Sequence, residues 1–371
     1  MSRSFAFMLL ALAAGCSPAT TDVRAAAPRA TTTADKKQST EPPPGNETLL
    51  LAFTGDVSFY GRDNPAGDEL PEAADPLAPM RSVLTEADLT VVNLESVLVR
   101  SQPERVRGHP TLWAPPVWAE SLVRAGIDVV GTANNHSYDA SGQGLLESLA
   151  TLEGAGLRAI GTGPTRERAV EPHIHPTPGG CVAIVPATTF VNAPIPEDAF
   201  AAHDPTRRRI LAQVRATAER CPFVVVYLHW GPQFVDMPTR NMRYFAHRLV
   251  RAGADLVVAH HPHVLMGVEF RGDAAIAYSL GNFVFSSSRP MTLPTGVLLA
   301  RLELSPEPHL VGLELAPAMI DRETHTPHPA GERSRVMRRH LERISRPFGT
   351  ETELVSGRIQ FRRRVPVGAA P

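Results

Sequence analysis

The chain has 371 residues, 43% of them apolar and 20% charged, enough to bury at least one sizeable core. Its formal net charge is −1, so it lacks the basic footprint that nucleic acid requires, and that class of partner is set aside.

The first segment reads as an export signal. Arg3 precedes an apolar run, Phe5–Ala14, which Gly15 and Cys16 close. About ten apolar residues are too few to span a bilayer as a mature helix, so cleavage is expected. A cysteine directly after small residues resembles the bacterial lipoprotein signal, which implies that Cys16 becomes the acylated N-terminus and anchors the protein to a membrane. Such signals prefer Leu three residues before the cysteine. Here Ala13 stands there, with Leu12 one further back. Plain secretion is the alternative, and both readings place the protein in the cell envelope or beyond. Residues 17–47 are mostly Ala, Thr, Pro and Ser. They cannot bury enough surface to offset the entropy of ordering, so a flexible tether is expected, with a reach of roughly 30 Å.

From residue 48 to about 300 the chain reads as one α/β domain. Six apolar runs each end in polar residues. LLLAFTGD ends at Asp56, LTVVNLE at Asn93 and Glu95, and IDVVGTANNH at Asn134, Asn135 and His136. FVVVYLHWG ends at His229, DLVVAHHPHV at His260, His261 and His263, and AIAYSLGNF at Asn282. Short apolar runs of this kind are buried parallel strands, whose ligands gather beyond their carboxyl ends. Asp, Glu, Asn and His at so many ends point to one site for a hard or borderline divalent cation.

Helical segments separate the strands. Trp118, Leu122 and Val123 share one face that stops at Gly126. Leu145, Leu146, Leu149 and Leu152 form a stripe that stops at Gly154 or Gly156. Met242, Phe245, Ala246, Leu249 and Val250 form another, ended by Gly253. These stripes are core packing. Cys181 and Cys221 each directly precede an apolar strand and so lie at one edge of a sheet; separate buried thiols are expected, with a bridge as the alternative. After about residue 285 two strands in meander spacing, an Arg-rich helix and a last strand near Ile359–Phe361 read as an appendix of the same domain, residues 301–371.

Taken singly, His136, His229, His261 or His263 reads as a satisfied core histidine. Together, beside Asp56 and Glu95, they read as a metal site. His260 adjoins His261 and would face the opposite way on an extended backbone, in a structural or supporting role. Asp139 reads as a turn or capping residue. Asn282 either orients a substrate or belongs to a glycine turn, and Trp230 reads as a wall of the pocket.

Taken together, FTGDVSFYGR, ADLTVVNLES, DVVGTANNHSYDASGQGL, VVVYLHWGPQ, GADLVVAHHPHV and AIAYSLGNFVF resemble the CapA family of capsular poly-γ-glutamate synthesis over roughly residues 48–300. The resemblance implies a four-layer α-β-β-α sandwich of the metallophosphoesterase (calcineurin-like) type. It implies Asp56, Asn135, His229, His261 and His263 as metal ligands, and His136 as the group beside a substrate oxyanion. Glu95 stands where the bridging carboxylate is expected, with Asn93 as its competitor. Asn93, Asn134, Trp230 and Asn282 are the candidate substrate contacts. One or two ions of zinc, manganese or iron are implied, as are other capsule synthesis proteins as partners.

Three positions depart from the pattern. Ser58 stands where a second metal histidine begins phosphatase sites of this type, Gln233 replaces a glutamate, and Met266 replaces a glutamine. Two functions follow. One is a metal-dependent hydrolase or transferase acting on a phosphorylated or amide-type substrate. The other is a non-catalytic surface protein that holds an anionic polymer during capsule assembly or export.

Overall fold

The computed structural model describes residues 47–62, 70–105, 108–287 and 289–364. Cys16, the export signal and nearly all of the expected tether lie outside them. Two large sheets carry the domain. The first is 10-stranded, and its main path runs Thr350–Val355, Arg358–Arg363, His309–Ile320, Pro294–Glu303, Thr48–Val57, Leu89–Leu94, Val129–Gly131, Arg158–Ile160. The second is 6-stranded and runs Val268–Arg271, Ala274–Ala277, Leu256–His260, Phe223–His229, Gly180–Thr188, His173–Thr177.

Side-chain alternation explains how the sheets stack. In Thr48–Val57, Leu49, Leu51 and Phe53 join Val225, Tyr227 and Val258 of the other sheet in one core. Leu50 and Ala52 face the other way, onto Trp118, Leu122, Leu149 and Leu152 of the helical segments. In the second sheet Val224, Val226 and Leu228 face outward onto the helices Arg208–Ala218 and Arg240–Arg251. Helices, sheet, sheet and helices make the four-layer α-β-β-α sandwich that the resemblance implies. Val123, expected on a core face, is 36% exposed.

The C-terminal appendix shares the core between the sheets: Leu341, Ile344, Ile359 and Phe361 pack there with Leu51. The boundary read at residue 300 falls inside the strand Pro294–Glu303, which pairs antiparallel with Thr48–Phe53. Separate thiols were expected at Cys181 and Cys221, but the two form a disulfide, with Cα atoms 5.1 Å apart. The reason is sheet order. Gly180–Thr188 and Phe223–His229 are adjacent parallel strands in register at Val182 and Phe223, which brings Cys181 and Cys221, one and two residues before that pair, within reach of each other.

A repeated clamp sets the register of the parallel strands. Asp88, Asp128 and Asp255 each stand just before a strand. Each carboxylate accepts the backbone N–H of a residue on the neighbouring strand: Leu50 at 2.8 Å, Thr90 at 2.9 Å and Val224 at 2.8 Å. The same three aspartates donate their own N–H to the carbonyls of those residues. Burial pushes the Asp255 carboxyl from 3.8 up to about 6, against the pull of its backbone donors. Folding therefore favours the protonated form. That contribution is full below the unfolded value of 3.8 and is lost as pH rises through about 6. Asp255→Asn keeps an acceptor oxygen and removes the charge. We expect a higher melting temperature than wild type at pH ~7.5 and a smaller difference at pH ~4. Equal melting at both values would show that the clamp buries no costly charge.

Candidate metal centre

The two sheets end together on one side, and the polar residues gather there. Asp56 lies near the end of Thr48–Val57, and Glu95 one residue beyond Leu89–Leu94. Asn134, Asn135 and His136 follow Val129–Gly131; His229 closes Phe223–His229; His261 and His263 follow Leu256–His260. The last two hold positive φ angles of 93° and 58°, an unusual conformation for residues with a Cβ. That turn bends both imidazoles back toward the sheet ends.

Asn282 arrives by a different route. It opens the short strand Asn282–Val284, which crosses to the first sheet and pairs with Asp56. This crossing needs Gly55. A Cβ there would lie 2.3 Å from the Gly281 carbonyl oxygen and 2.7 Å from that of Asn282.

Two groups of donor atoms result, and they share one residue. Glu95, His229 and His261 form the first; Asp56, Glu95 and His263 form the second. In the first, the His229 Nε2 lies 2.6 Å from Asn135 Oδ1, 3.1 Å from His261 Nδ1 and 3.5 Å from Glu95 Oε1. A single proton on Nε2 can serve one of these atoms; a cation among them serves all. In the second, His263 Nδ1 lies 2.8 Å from Asn282 Oδ1, 3.4 Å from Asp56 Oδ2 and 3.9 Å from Glu95 Oε2.

Glu95 is fully buried, and neither carboxylate oxygen has a hydrogen-bond partner among the described residues. Burial, followed by the charge of Asp56, pushes its carboxyl well above the usual range. Burial also acts on Asp56, but hydrogen bonds from His260 and His263 hold it well below. Burial and then the neighbouring His261 push His229 far down, and burial with His263 pushes His261 to about 3. His229 and His261 are therefore neutral, as metal ligands must be. An orphaned carboxylate between neutral imidazoles and amide oxygens fits a divalent cation, in one position or two.

The remaining candidates have other surroundings. Asn93 donates to Asp56 Oδ1 at 2.8 Å, and Asn134 donates to the Leu94 carbonyl at 2.8 Å. Both were read as substrate contacts, yet both are buried and brace the donors from behind. Asn282, read the same way, sits among the second donor group. Trp230 is not a pocket wall: it lies fully buried in the outer core, stacked on Tyr278, with Nε1 donating to the Tyr278 carbonyl. His260 does not face away, because the backbone leaves the extended form at His261. Its Nδ1 lies 3.4 Å from Asp56 Oδ1 and its ring packs on Tyr227.

Two residues at the site escaped the sequence reading. Asp139 stands in the turn that was expected, not as a helix cap, but its side chain does more than close that turn. Its Oδ2 lies 2.6 Å from His136 Nδ1 and also accepts the Leu112 N–H. Asn192 places Nδ2 3.4 Å from His136 Nε2, and its N–H donates to the Asn135 carbonyl. Ser58 turns its hydroxyl to the Tyr60 N–H at 3.3 Å.

The chain matches the family described as Bacterial capsule synthesis protein PGA_cap over residues 50–287. It is 26% identical over 324 residues to the PGA biosynthesis protein CapA of Bacillus subtilis (strain 168), covering 85% of this chain and 83% of that one. It is 30% identical over 172 residues to the capsule biosynthesis protein CapA of Bacillus anthracis, covering 45% and 42%. Among solved structures, the sulfate thiohydrolase SoxB of Thermus thermophilus in complex with glycerol gives a TM-score of 0.41 at 15% identity, over 78% of this chain and 58% of that one. That likeness is too shallow to assign any residue a role.

The sharing of Glu95 makes a specific expectation. His261→Ala should weaken metal at the first group alone and His263→Ala at the second alone, whereas Glu95→Ala should weaken both. At ~100-fold metal excess over Kd, wild type should gain about 2–3 kcal/mol of stability that Glu95→Ala lacks. Metal analysis after dialysis and melting with and without metal provide the measurement. A wild-type protein that binds no divalent metal at micromolar concentration would end the assignment.

Proposed function

The chain belongs to the bacterial capsule synthesis protein family, and from that premise we propose that it is an exported, metal-dependent hydrolase or transferase of poly-γ-glutamate-type capsule assembly. Its substrate is an anionic polymer or a phosphorylated precursor, and zinc, manganese or iron is its ion. The observation that carries this reading is the buried, unpartnered Glu95 carboxylate beside a His136 ring that Asp139 holds in place. When bound, a divalent ion supplies Lewis acidity and lowers the pKa of water to near neutrality.

The chain's own residues supply the rest. Asp139 at Nδ1 fixes the His136 ring, so Nε2, 3.9 Å from Glu95 Oε1, is the atom left to donate or accept a proton. Asn192 stands at that same nitrogen and can orient a substrate oxygen there.

The alternative is a non-catalytic surface scaffold for anionic polymer, and Ser58 in place of a metal histidine favours it. Charge weighs against a scaffold that works without metal. Asp56, whose carboxyl is held well below the usual range, sets negative charge among the donors, which repels a polyanion. Either function therefore calls for a bound cation.

Export is supported by the disulfide, since such bonds persist in oxidising compartments. No helix among the described residues is long and apolar enough to cross a membrane. Anchoring through acylated Cys16 remains the proposed attachment. Cys16→Ala should block processing or release the protein into soluble fractions; an unchanged membrane location in fractionation would remove the lipid anchor from the proposal.

Catalysis is tested by contrast. His136→Ala should keep metal content and melting temperature while turnover falls by about 10²- to 10⁴-fold. His229→Ala should lose metal and turnover together. Asp139→Asn should keep metal and lose a part of the turnover, because the ring loses its anchor. Polymer yield in a complemented deletion strain gives the parallel readout. Full yield from His136→Ala would favour the scaffold.

A further inference from the structure

Between the helix Ser334–Ser345 and the loop after the histidine cluster lies a cavity of about 500 Å³ that the metal centre does not use. That volume is typical of a small-molecule site. Its apolar walls include Val264, Leu265, Met291, Met319 and Met337. Val264 and Leu265 directly follow His263, so the cavity and the metal centre share one stretch of backbone. Arg333, Val336, Met337 and His340 recur three and four apart, so one side of the helix forms the opposite wall. Val336 is 57% exposed and Met291 44%, apolar surface left in water at this cavity.

The polar groups decide the charge of an occupant. Asp236 is neutralised by Arg343 at 3.0 Å, and the same guanidinium lies 3.2 Å from His340 Nδ1. Among the described residues no carboxylate pairs with Arg333. A polar ligand body would lose its hydration to walls that offer it few hydrogen bonds. An aliphatic body would gain by entering, and an acid at its end would meet the Arg333 guanidinium.

We propose that this cavity binds a single anionic amphiphile, its aliphatic chain among the methionines and its acidic head group at Arg333. The occupant is a molecule drawn in by its chain rather than a bilayer face, since two exposed apolar side chains are too few to seat a protein on a membrane. The assignment does not depend on catalysis at the metal centre.

The full chain, freed of metal with a chelator so that the histidine cluster offers no anion site, is titrated with octyl, decyl and dodecyl phosphate. Methionine methyl signals are followed by NMR. The signals of Met291, Met319 and Met337 should shift together, and affinity should fall about three- to fourfold for each methylene removed. Val336→Trp, which fills the cavity from an exposed position, and Arg333→Glu should each weaken dodecyl phosphate by ~10-fold or more with unchanged melting. A series without slope in chain length, or equal shifts of these methyls by inorganic phosphate or dodecyltrimethylammonium, would overturn the proposal. So would binding only to vesicles of anionic phospholipid. Concentration-dependent sedimentation that Val336→Glu abolishes would make a second copy of the chain the occupant, and would overturn it equally.

Discussion

Two carboxylates removed from water at the meeting of two sheets govern this structure. Asp56 and Glu95 are fully buried, one near the end of the strand Thr48–Val57 and the other just past Leu89–Leu94. An isolated buried carboxylate costs several kcal/mol. Asp56 offsets that cost with the Asn93 amide and the His261 N–H, whereas Glu95 has only approaching imidazoles. The surrounding donors are arranged as a cation would need them, and the surrounding backbone takes up the strain. Positive φ at His261 and His263 and the contact that only Gly55 permits belong to one arrangement.

That arrangement joins the sheets at a point where their hydrophobic faces have run out. Below it, Phe53, Tyr227 and Val258 seal the sandwich. Above it, the short strand at Asn282 crosses from one sheet to the other. The site is thus a polar seam on an apolar core, and the close packing of that core holds the donors in place.

Much of this was legible because buried parallel strands leave an unmistakable trace: continuous apolar runs that end in the ligands themselves. Asp56, Glu95, Asn135, His136, His229, His261 and His263 all stand where such runs end. What was not legible depended on local backbone or on sheet order. Period-two alternation, applied to His229, would have turned Trp230 outward; applied to His260, it misled, because the chain leaves the extended form at the next residue. Asp139 has the spacing of a cap, and only the folded turn sets its carboxylate against His136. Asn192 follows the strand Gly180–Thr188, whose polar tail TTFVN carries none of the residues that flag a metal site. Two cysteines at one sheet edge were readable; that their strands are neighbours was not.

The disulfide lies where the strands Gly180–Thr188 and Phe223–His229 begin, and the histidine that closes the second of them lies where they end. One strand of that pair is therefore fastened by a covalent bond at its start and, with a cation bound, would be fastened again at its finish. A reducing cytoplasm would keep the covalent fastening open. Under the proposed export, maturation would be ordered in space: the sandwich can collapse anywhere, but the disulfide end would be tied only after translocation. A precursor caught inside the cell would be a looser molecule than its exported form, easier to thread outward and easier to degrade.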